Sequence, residues 1–382
     1  MTNRADPQAG MTGSIEVDVK LLRGALRDVV GVVEARNTVP ILANVLLSVA
    51  DRRLTIAGTD LDLAIERSVG VDVDLGAALS WSTTVPGAIL AAIAGKLPDA
   101  ATARIATESG KLTVSAGRSR FTLPTLPVDD WPAFPRADWD AEFEIAAVTL
   151  GGVIGRVRHA ISTDETRFYL NGLVVHIVDA EVRVAATDGH RLARMVLDPP
   201  NGASGMPDVI LPRKAAKVLG GLLDRFDGVV SVAVSRARLR FELGETVLTC
   251  KTIDGTFPDY TRVIPVGNDK KLVFDRAALI EATDRVATVS SDRTRVVKLA
   301  LSTGMLTLSV VSPETGTASE EVPCDYSGEP VAVGFNARYL LDALAQGTAD
   351  TMTAWFVDSA APTLWRDGED SPALFVLMPM KV

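Results

Sequence analysis

Three stretches of the chain share one pattern and decide the fold. They are IEVDVKLLRGALRDVVGVV at residues 15–33, FEIAAVTLGGVIGRVRHAI at 143–161 and LVFDRAALIEATDRVATVS at 272–290. Each begins with alternating apolar residues, typical of a short strand, and continues with apolar residues at i, i+3 and i+4, typical of a helix. The copies are offset by 128 and 129 residues, and three copies at a nearly fixed period predict a repeat architecture.

The correspondence continues beyond these stretches. RLTIAGTD at 53–60 matches EVRVAATD at 181–188, and a second helix is predicted at Pro86, Pro212 and Asn336. Proline suits the first turn of a helix, and asparagine suits the cap before it. The predicted helices are 20–36, 87–97, 149–161, 213–225, 276–287 and 337–345. We therefore predict an α+β fold with a disordered tail at 1–13 and three similar domains at 14–140, 141–268 and 269–382.

The composition excludes several classes of protein. The chain has 382 residues, 47% hydrophobic and 23% charged, which is ordinary for a globular protein. Its two cysteines, Cys250 and Cys324, are too few for a disulfide framework or a structural zinc site, so buried thiols are expected. The three histidines, His159, His176 and His190, have no metal-ligand spacing, and neither a metal nor any other cofactor is expected.

The N-terminal sequence is polar and lacks the apolar stretch of a signal peptide. No stretch of the sequence is apolar for long enough to span a bilayer. The sequence therefore predicts a cytoplasmic protein, with Met11 as a second possible start.

The net charge of −9 argues against a partner held by bulk positive charge. The predicted helices nevertheless hold fourteen basic and six acidic residues, so they carry +8 and the rest of the chain −17. Lys and Arg form helices well on any solvated face, which is the simpler explanation. Glu shares that propensity but is nearly absent from these helices. We therefore favour a basic helical surface that contacts phosphates without reading sequence, since no base-reading module is present.

Further motifs occur in a fixed order along the chain. They are TVPILANVLL (38–47), GTDLDLAI (58–65), RFYLNG (167–172), ATDGHRLA (186–193), PRK (212–214), DGTFPDYTRVIP (254–265), GFNARYLLDAL (334–344) and MPMKV (378–382). From about residue 15 to residue 382 the chain resembles the bacterial replicative sliding clamp, the beta subunit of DNA polymerase III. The resemblance implies a head-to-tail homodimer, a closed ring with helices lining the hole and sheets outside. Such a ring encircles duplex DNA, confers processivity on the replicative polymerase and catalyses nothing itself.

The resemblance also implies partners and a pocket that binds them. The partners are a second copy of the chain, double-stranded DNA without sequence specificity, the replicative polymerase, the clamp loader, and repair or translesion polymerases, but no membrane. The proteins would bind through short linear motifs in a pocket between the second and third domains, where Arg191 and Arg262 would donate hydrogen bonds to the peptide. The residues implied are Leu170, Thr187, Gly189, His190, Arg191, Leu192, Pro258, Arg262, Val263, Asn336, Tyr339, Val376, Met378, Pro379 and Met380. Without the resemblance, MPM reads as an ordinary edge strand.

The resemblance implies two more surfaces, and it implies a cytoplasmic protein that associates with the nucleoid. The basic helices and the RFYLNG motif supply the DNA-binding residues Lys20, Arg23, Arg27, Arg36, Phe168, Tyr169, Arg213, Lys214 and Lys217. The dimer interface is expected to pair Phe121, Leu123, Arg118 and Arg120 of one chain with Thr288, Val289, Glu314, Glu320 and Glu321 of the other. The chain departs from the family pattern at Asp164, Thr288, Thr294 and Pro362.

Three alternatives remain open. Asp188 and His190 of ATDGH suggest a base and its orienting group, with Ser290 or Ser291 as nucleophile, but the first repeat has TDLD instead, which favours a structural loop. A protein scaffold that never contacts DNA is a second alternative, but such a protein is not expected to have basic helices. A clamp specialised for a repair or translesion polymerase fits the same motifs.

Overall fold

The computed structural model describes residues 13–34, 38–73, 80–108, 110–133, 138–290 and 295–381. The first repeat comprises β1 Gly13–Asp18, α1 Val19–Val30, β2 Asn44–Ala50, β3 Arg53–Thr59, β4 Leu63–Gly70, β5 Asp72–Val73, β6 Trp81–Pro86, α2 Gly87–Lys96, β7 Thr102–Glu108, β8 Lys111–Ala116 and β9 Ser119–Pro124. The second comprises β10 Ala141–Ala146, α3 Ala147–Val157, β11 Gly172–Val178, β12 Glu181–Thr187, β13 Arg191–Leu197, β14 Val209–Pro212, α4 Arg213–Leu223, β15 Val229–Val234, β16 Arg238–Leu243 and β17 Thr246–Lys251. The third comprises β18 Lys270–Asp275, α5 Arg276–Ala287, β19 Val296–Ser302, β20 Met305–Ser312, β21 Gly316–Asp325, β22 Val331–Asn336, α6 Ala337–Leu344, β23 Thr351–Phe356, β24 Thr363–Arg366 and β25 Ala373–Leu377.

The predicted repeat of strand, helix, strands, helix, strands is confirmed three times. The same tertiary hydrogen bond fixes the start of the first helix in every copy. The N–H of Val19 donates to Ala101 O (3.1 Å), that of Ala147 to Gly228 O (2.8 Å) and that of Arg276 to Asp350 O (2.8 Å). Each bond satisfies one of the N–H groups that a helix leaves unpaired at its start.

The predicted helices are confirmed, but the first was predicted too long. It ends at Val30 and not at residue 36, and the chain continues in a tight turn in which Val32 N donates to Val29 O. Gly31 and the β-branched valines after it have low helix propensity, and glycine costs about 1 kcal/mol relative to alanine. α4 likewise ends at Leu223, so Arg225 lies beyond the helix.

The charge bias survives these corrections. In the described part of the chain, the six α-helices hold eleven basic and four acidic residues, a net charge of +7. None of the six has an acidic residue in its first turn. This is unusual, because the positive end of the helix dipole favours acids at that position.

The chain divides into two compact units. Unit 1 comprises residues 1–147 and 221–251, and unit 2 comprises 148–220 and 252–382. Unit 1 contains a five-stranded sheet, β5-β1-β7-β8-β9, and an eight-stranded sheet, β10-β15-β16-β17-β4-β3-β2-β6. Unit 2 contains one twelve-stranded sheet, β14-β11-β12-β13-β25-β24-β23-β18-β21-β20-β19-β22. The second repeat thus contributes strands to both units.

One pairing rule joins each repeat to the next. The last strand of a repeat pairs antiparallel with the third strand after the first helix of the preceding repeat. β17 pairs with β4, with Cys250 opposite Leu63, and β25 pairs with β13, with Leu377 opposite Arg191. We call these pairings seam 1 and seam 2. Among the described residues, β9 of the first repeat is an edge strand without such a neighbour. β21 of the third repeat, the counterpart of β4 and β13, pairs on that side only with β18, through Cys324 and Asp325 at its end.

The core of the third repeat is aromatic. Trp365 is fully buried and lies edge-on to Phe274, Phe335 and Phe356, with ring centroids 5.7–5.8 Å apart. Such pairs stabilise by about 0.5–1.5 kcal/mol each beyond the buried area. The buried thiol predicted at Cys250 is confirmed, and burial raises its pKa to about 12. The same prediction for Cys324 is wrong, since that side chain, on β21, is only partly buried.

Across the described ranges, no helix is both long and apolar enough to cross a membrane. The same residues contain no group of three or more His, Cys, Asp and Glu side chains that could hold a metal ion.

Candidate functional site

The predicted peptide pocket lies entirely within unit 2, around seam 2. Its floor is a buried apolar cluster of Val174, Ala185, Leu192, Tyr260, Leu374 and Val376, against which Phe257, Ile264 and Leu364 pack. Leu170 is buried as well. The exposed apolar side chains are Val263, Met378 and Met380, which are 47%, 38% and 41% exposed. A peptide would therefore meet valine and methionine side chains above a rigid floor.

The C-terminal segment is held by its backbone, which leaves the methionine side chains exposed. Met378 N donates to His190 O at 2.9 Å, and Met380 N donates to Gly334 O at 2.8 Å. β25 itself ends at Leu377. The sequence MPM is therefore a strap beyond the end of β25, fixed at two points. β25 lies between β13 and β24, so the reading of this segment as an edge strand is wrong. Methionine is the residue that best adapts to varied partners.

Local hydrogen bonds hold the loop at 187–190 in place. Thr187 Oγ1 donates to Arg191 O (2.7 Å), and Asp188 Oδ1 accepts from the N–H groups of His190 and Arg191. Gly189 has a φ of +89°, and a Cβ there would lie 2.7 Å from Arg167 Nη1. Asp188 thus orders the loop backbone with one oxygen and accepts from Arg191 Nε with the other. Both oxygens serve the loop, which favours the structural loop over the enzyme alternative.

Arg191 has a structural role that the sequence did not indicate. Its Nε donates to Asp188 (3.1 Å), its Nη1 donates to Asp342 (2.6 Å), and its guanidinium lies 4.2 Å from the ring centroid of Tyr339. The side chain is only 9% exposed. Arg191 therefore ties the loop at 187–190 to α6, and two of its guanidinium nitrogens are already engaged within the chain.

The other predicted donor, Arg262, is available. It is 82% exposed and pairs through Nε with Asp259 at 2.9 Å. Hydrogen bonds from Thr261 and Arg262 lower the pKa of the Asp259 carboxyl. The pair lies in a 3-10 turn at Tyr260–Val263 that also carries Val263, and Pro258 is exposed just before it.

Asn336 and Tyr339 act mainly within the protein. Asn336 caps α6, since its Oδ1 accepts from Arg338 N (3.0 Å) and Tyr339 N (3.3 Å). The Tyr339 ring stacks on His190 with centroids 6.5 Å apart. The structure thus links these residues to the loop and the strap of the predicted pocket.

Sequence reasoning missed Asp342 and Arg167. Asp342 holds Arg191 across 151 positions of sequence, and no local pattern indicates such a pair. Arg167 lies within the quoted motif RFYLNG, beside Gly189. It also pairs with Asp164, whose pKa falls to about 2 because Thr166 and Arg167 donate hydrogen bonds to it. The departure at Asp164 therefore caps the 3-10 turn at Glu165–Leu170.

Two of the other departures can be described, and one cannot. Pro362 O accepts a hydrogen bond from Asn268 at 2.9 Å, and Thr288 Oγ1 donates to Asp284 O at 3.1 Å. Thr294 lies outside the described residues, as do Ser291, Arg36 and the predicted tail before Gly13.

The predicted DNA-binding residues have unequal surroundings. Lys20 and Arg27 are exposed on α1, whereas Arg23 caps the end of α2 by donating to Ala94 O (3.1 Å) and Leu97 O (2.6 Å) and by pairing with Asp99. Arg23 therefore has a structural task that the sequence did not indicate. Arg213, Lys214 and Lys217 are exposed at the start of α4, and Phe168 is 52% exposed and edge-on to Tyr169.

The residues predicted at the dimer interface lie on or beside β9 and β21. Arg118 and Arg120 are exposed, Phe121 is half-buried and Leu123 is buried within its own chain. Glu320 on β21 already pairs with Arg285 at 2.6 Å, and this pairing lowers the pKa of the Glu320 carboxyl. Thr288, Glu314 and Glu321 are exposed, and Val289 O accepts a hydrogen bond from Thr315.

Comparison with known proteins identifies the family. Models of the N-terminal, central and C-terminal domains of the DNA polymerase III beta subunit match residues 14–135, 144–259 and 261–381. The chain belongs to the DNA polymerase III beta subunit family. The predicted resemblance and the predicted three-domain clamp fold are therefore confirmed.

Curated relatives of this family match nearly the whole chain. The beta sliding clamp of Caulobacter vibrioides is 43% identical over 374 residues, which cover 96% of this chain and 100% of that protein. The beta sliding clamp of Escherichia coli is 34% identical over 359 residues, covering 94% and 96%. These matches support a general sliding clamp of DNA replication and do not favour one specialised for repair or translesion polymerases.

Solved clamp structures agree. A DnaN sliding clamp from Bartonella birtlesii bound to griselimycin has a TM-score of 0.94 and 41% identity, covering 97% of this chain and 100% of that one. The Caulobacter crescentus beta sliding clamp with polyethylene glycol bound has a TM-score of 0.93 and 42% identity, covering 98% and 100%. The family is one of processivity factors, which are generally not enzymes.

Proposed function

We propose that two copies of this chain form a closed ring around duplex DNA and tether DNA polymerases through the pocket at seam 2. The chain would do so without catalysing a reaction, on the chromosome in the cytoplasm. The observation that carries the proposal is the pairing rule. In the described part of the chain, β9 has no neighbour equivalent to those at seams 1 and 2, and β21 meets only β18 on the corresponding side, at Cys324 and Asp325.

The rule indicates how two chains would join. If β9 of one chain pairs with β21 of another, the third seam repeats the first two. A head-to-tail contact that closes after two steps gives a ring and leaves no open end for fibre growth. Charges support this pairing, since Arg120 lies on β9 and Arg118 just before it, whereas Glu320 and Glu321 lie on β21. Domain boundaries at 14–140, 141–268 and 269–382 belong to the same proposal.

DNA contact would be electrostatic and independent of sequence. Basic residues begin α1 (Lys20) and α4 (Arg213 and Lys214), where the helix dipole already favours anions. The rest of the chain is acidic, since the whole carries −9. A mildly basic lining on an acidic body would contact phosphates loosely, and topology would supply the persistence.

Retention on circular and linear DNA tests the ring. The chain is loaded onto a nicked circular plasmid by a clamp loader, and the amount that stays bound is compared before and after the plasmid is linearised. Retention on the circle and rapid loss from the linear form are expected. Equal retention on both would contradict topological binding.

Alanine substitution of the strap tests the tether. The Met378→Ala, Met380→Ala double variant should bind a peptide from the polymerase's clamp-binding motif at least tenfold more weakly, because both side chains are exposed for contact. Sedimentation at sub-micromolar concentration should show an unchanged dimer. Unaltered peptide affinity would move the pocket elsewhere. The same peptide-binding assay can compare partners from the clamp loader and from repair or translesion polymerases, which we propose share this pocket.

A further inference from the structure

Three arginines converge on one buried carboxylate in unit 1. Asp28 of α1 is only 7% exposed in its side chain. Arg225 Nη2 lies 2.9 Å from its Oδ1, Arg27 Nε lies 3.6 Å from the same oxygen, and Arg67 Nη1 lies 3.5 Å from its Oδ2. One negative charge therefore faces three positive charges, which leaves the cluster with an excess of +2.

The cluster borders a small concave cavity. Arg27, Asp28, Arg67 and Arg225 line it together with Thr246 and apolar side chains, and its volume is about 130 Å³. At about 30 Å³ for each water molecule in the liquid, the space holds roughly four waters. A small anionic group thus has room to enter without rearranging the side chains around it.

The donors that border this cavity are only partly used. Arg67 Nη1 donates to Thr246 Oγ1 at 2.6 Å, but its Nε is buried, and among the described residues no acceptor meets it. Arg225 donates to Asp28 through Nη2, at 2.9 Å. A guanidinium has five N–H donors in a planar fork that matches phosphate oxygens. Asp28 accepts a hydrogen bond from Arg225 and attracts Arg67 and Arg27 as ion pairs, while leaving positive charge in excess.

The exposure of the cluster identifies which arginines a ligand would reach. Arg27 is 61% exposed and Arg225 is 41% exposed, whereas Arg67 is 33% exposed. Arg27 also lies seven residues after Lys20, on the same side of α1. A phosphate held by Arg27 and Arg225 would therefore continue a basic row along that helix.

We propose that Arg27 and Arg225, oriented by Asp28, form a seat for one phosphate group of the DNA backbone. The seat rests on the proposed DNA-binding function and names a specific contact within it. Arg225 lies beyond the end of α4 and was not among the predicted DNA-binding residues. A free phosphate ion has the same chemistry as a backbone phosphate and could bind the same seat. The row that Arg27 forms with Lys20 favours the phosphate of a duplex, because a single ion would need only the seat.

The salt dependence of duplex binding tests the seat. A labelled 20-base-pair linear duplex is titrated with the full chain at several salt concentrations, and fluorescence anisotropy gives the affinity. Each phosphate contact contributes about −0.9 to the slope of log affinity against log salt. Because both arginines serve one phosphate, the Arg27→Gln, Arg225→Gln double variant should make the slope shallower by about 0.9, and not by twice that amount.

Arg240→Gln is the matched control. Arg240 is 39% exposed and pairs with Glu242 at 3.0 Å, so its exposure and pairing resemble those of Arg225. It lies on β16, on the opposite face of the strand from Leu243, which lines the cavity. The control should keep the wild-type slope. An equal change in the control would reveal a general charge effect and overturn the seat, as would a wild-type slope in the double variant.

Two further experiments distinguish a DNA phosphate from a free phosphate ion, and failure of the seat from failure of the ring. Inorganic phosphate at constant ionic strength should compete with the duplex for the wild type and not for the double variant. Tight phosphate binding that leaves duplex affinity unchanged would assign the site to a free ion and overturn the proposal. The double variant should still be retained on circular DNA. If the wild type instead fails that retention while the slope difference persists, the ring proposal fails and the seat stands.

Folding is checked by thermal unfolding of each variant. Arg27→Gln alone provides the second test, because Arg27 is largely exposed and is the more distant of the two cations from Asp28 Oδ1. It should weaken duplex binding several-fold at low salt with an unchanged unfolding temperature. Wild-type affinity in this variant would contradict the role of Arg27.

Discussion

Seams 1 and 2 have the same pattern of backbone hydrogen bonds but different side chains. At seam 1, Lys251 N donates to Asp62 O at 2.8 Å, and at seam 2 the equivalent Met378 N donates to His190 O at 2.9 Å. The side chains at seam 1 form an ion pair, with Lys251 Nζ 2.8 Å from Asp62 Oδ1. At seam 2 they are a thioether and an imidazole.

The loops beside the two seams are also equivalent. Thr59 Oγ1 donates to Leu63 O (2.9 Å) as Thr187 Oγ1 does to Arg191 O (2.7 Å). Asp60 and Asp188 each accept from two backbone N–H groups with one carboxylate oxygen. The TD loop therefore belongs to the repeat and not to the pocket. What makes seam 2 a candidate for peptide binding is the set of side chains placed on the shared backbone.

The largest effect is expected from Arg191, which has no arginine counterpart at seam 1. Arg191→Leu removes the cation that Asp188 and Asp342 share, and Asp188 is only 14% exposed in its side chain. Leaving such a carboxylate without its partner should cost about 2 kcal/mol of unfolding free energy. Denaturant unfolding of the full chain measures the loss.

Arg183→Leu is the control for that measurement. Arg183 is also largely buried, at 15% exposed, but its partners Asp179 and Glu181 are 81% and 45% exposed and stay hydrated. Its loss should be clearly smaller than that of Arg191→Leu. Equal losses would show that burial of the arginine stem, and not the paired carboxylates, stabilises seam 2.

The next effect concerns the residue that most distinguishes the seams. Met378→Lys places at seam 2 the residue that seam 1 has, so a docking peptide would have to desolvate an ammonium group. Peptide affinity should fall at least tenfold, or about 1.4 kcal/mol. Calorimetric titration with the polymerase motif peptide measures it. Retained affinity would mean that the strap contributes its backbone and not its side chain.

A smaller effect is expected at the loop residue with positive φ. Gly189→Ala adds a Cβ at φ +89°, close to Arg167, whereas Leu61 at seam 1 already has a Cβ at φ +79°. The strain should destabilise unit 2 by about 1 kcal/mol. Leu61→Ala adds no such strain and is the control in the same thermal unfolding experiment. A harmless Gly189→Ala would show that Arg167 moves aside.

The smallest effect is expected from Lys251→Met, the reverse exchange. The Lys251–Asp62 pair is exposed, at 50% and 77%, so its loss should cost less than about 1 kcal/mol and should vanish at high salt. Unfolding at low and high salt measures it. Peptide affinity should not change, and a gain would mean that seam 1 needs only an apolar side chain to bind.

Much of the fold could be predicted from the sequence because it repeats. Three copies of one pattern average out local ambiguity, so the helix starts after Asp18, Pro212 and Asn336 were placed within one or two residues. The end of α1 was predicted too late, because the helical apolar periodicity continues past Gly31 although the helix itself stops there. The exchange of strands between repeats at the seams was also beyond the sequence, since β pairing over long separations leaves no local signal.

The site shows the same division. Motifs containing Met378 and Val263 led to their assignment to the predicted pocket, and both side chains are exposed beside its apolar floor. The use of Arg191 could not be predicted, because its partner Asp342 lies far along the chain. Nor could the role of Arg23, whose spacing with Lys20 and Arg27 suggests a DNA-facing row while its guanidinium caps α2. Spacing predicts which face a side chain lies on, but not whether a neighbouring element has already engaged it.

The edge of β9, and that of β21 before Cys324, have no partner strand among the described residues, and this has a consequence for assembly. Seams 1 and 2 form between strands of one covalent chain, so each closes at a fixed effective concentration however dilute the protein is. A third seam of the same design, made between two chains, obeys mass action and weakens on dilution. The same strand pairing is thus permanent at the two seams within each chain and reversible at the seam between chains. A ring built this way opens only where two separate chains meet.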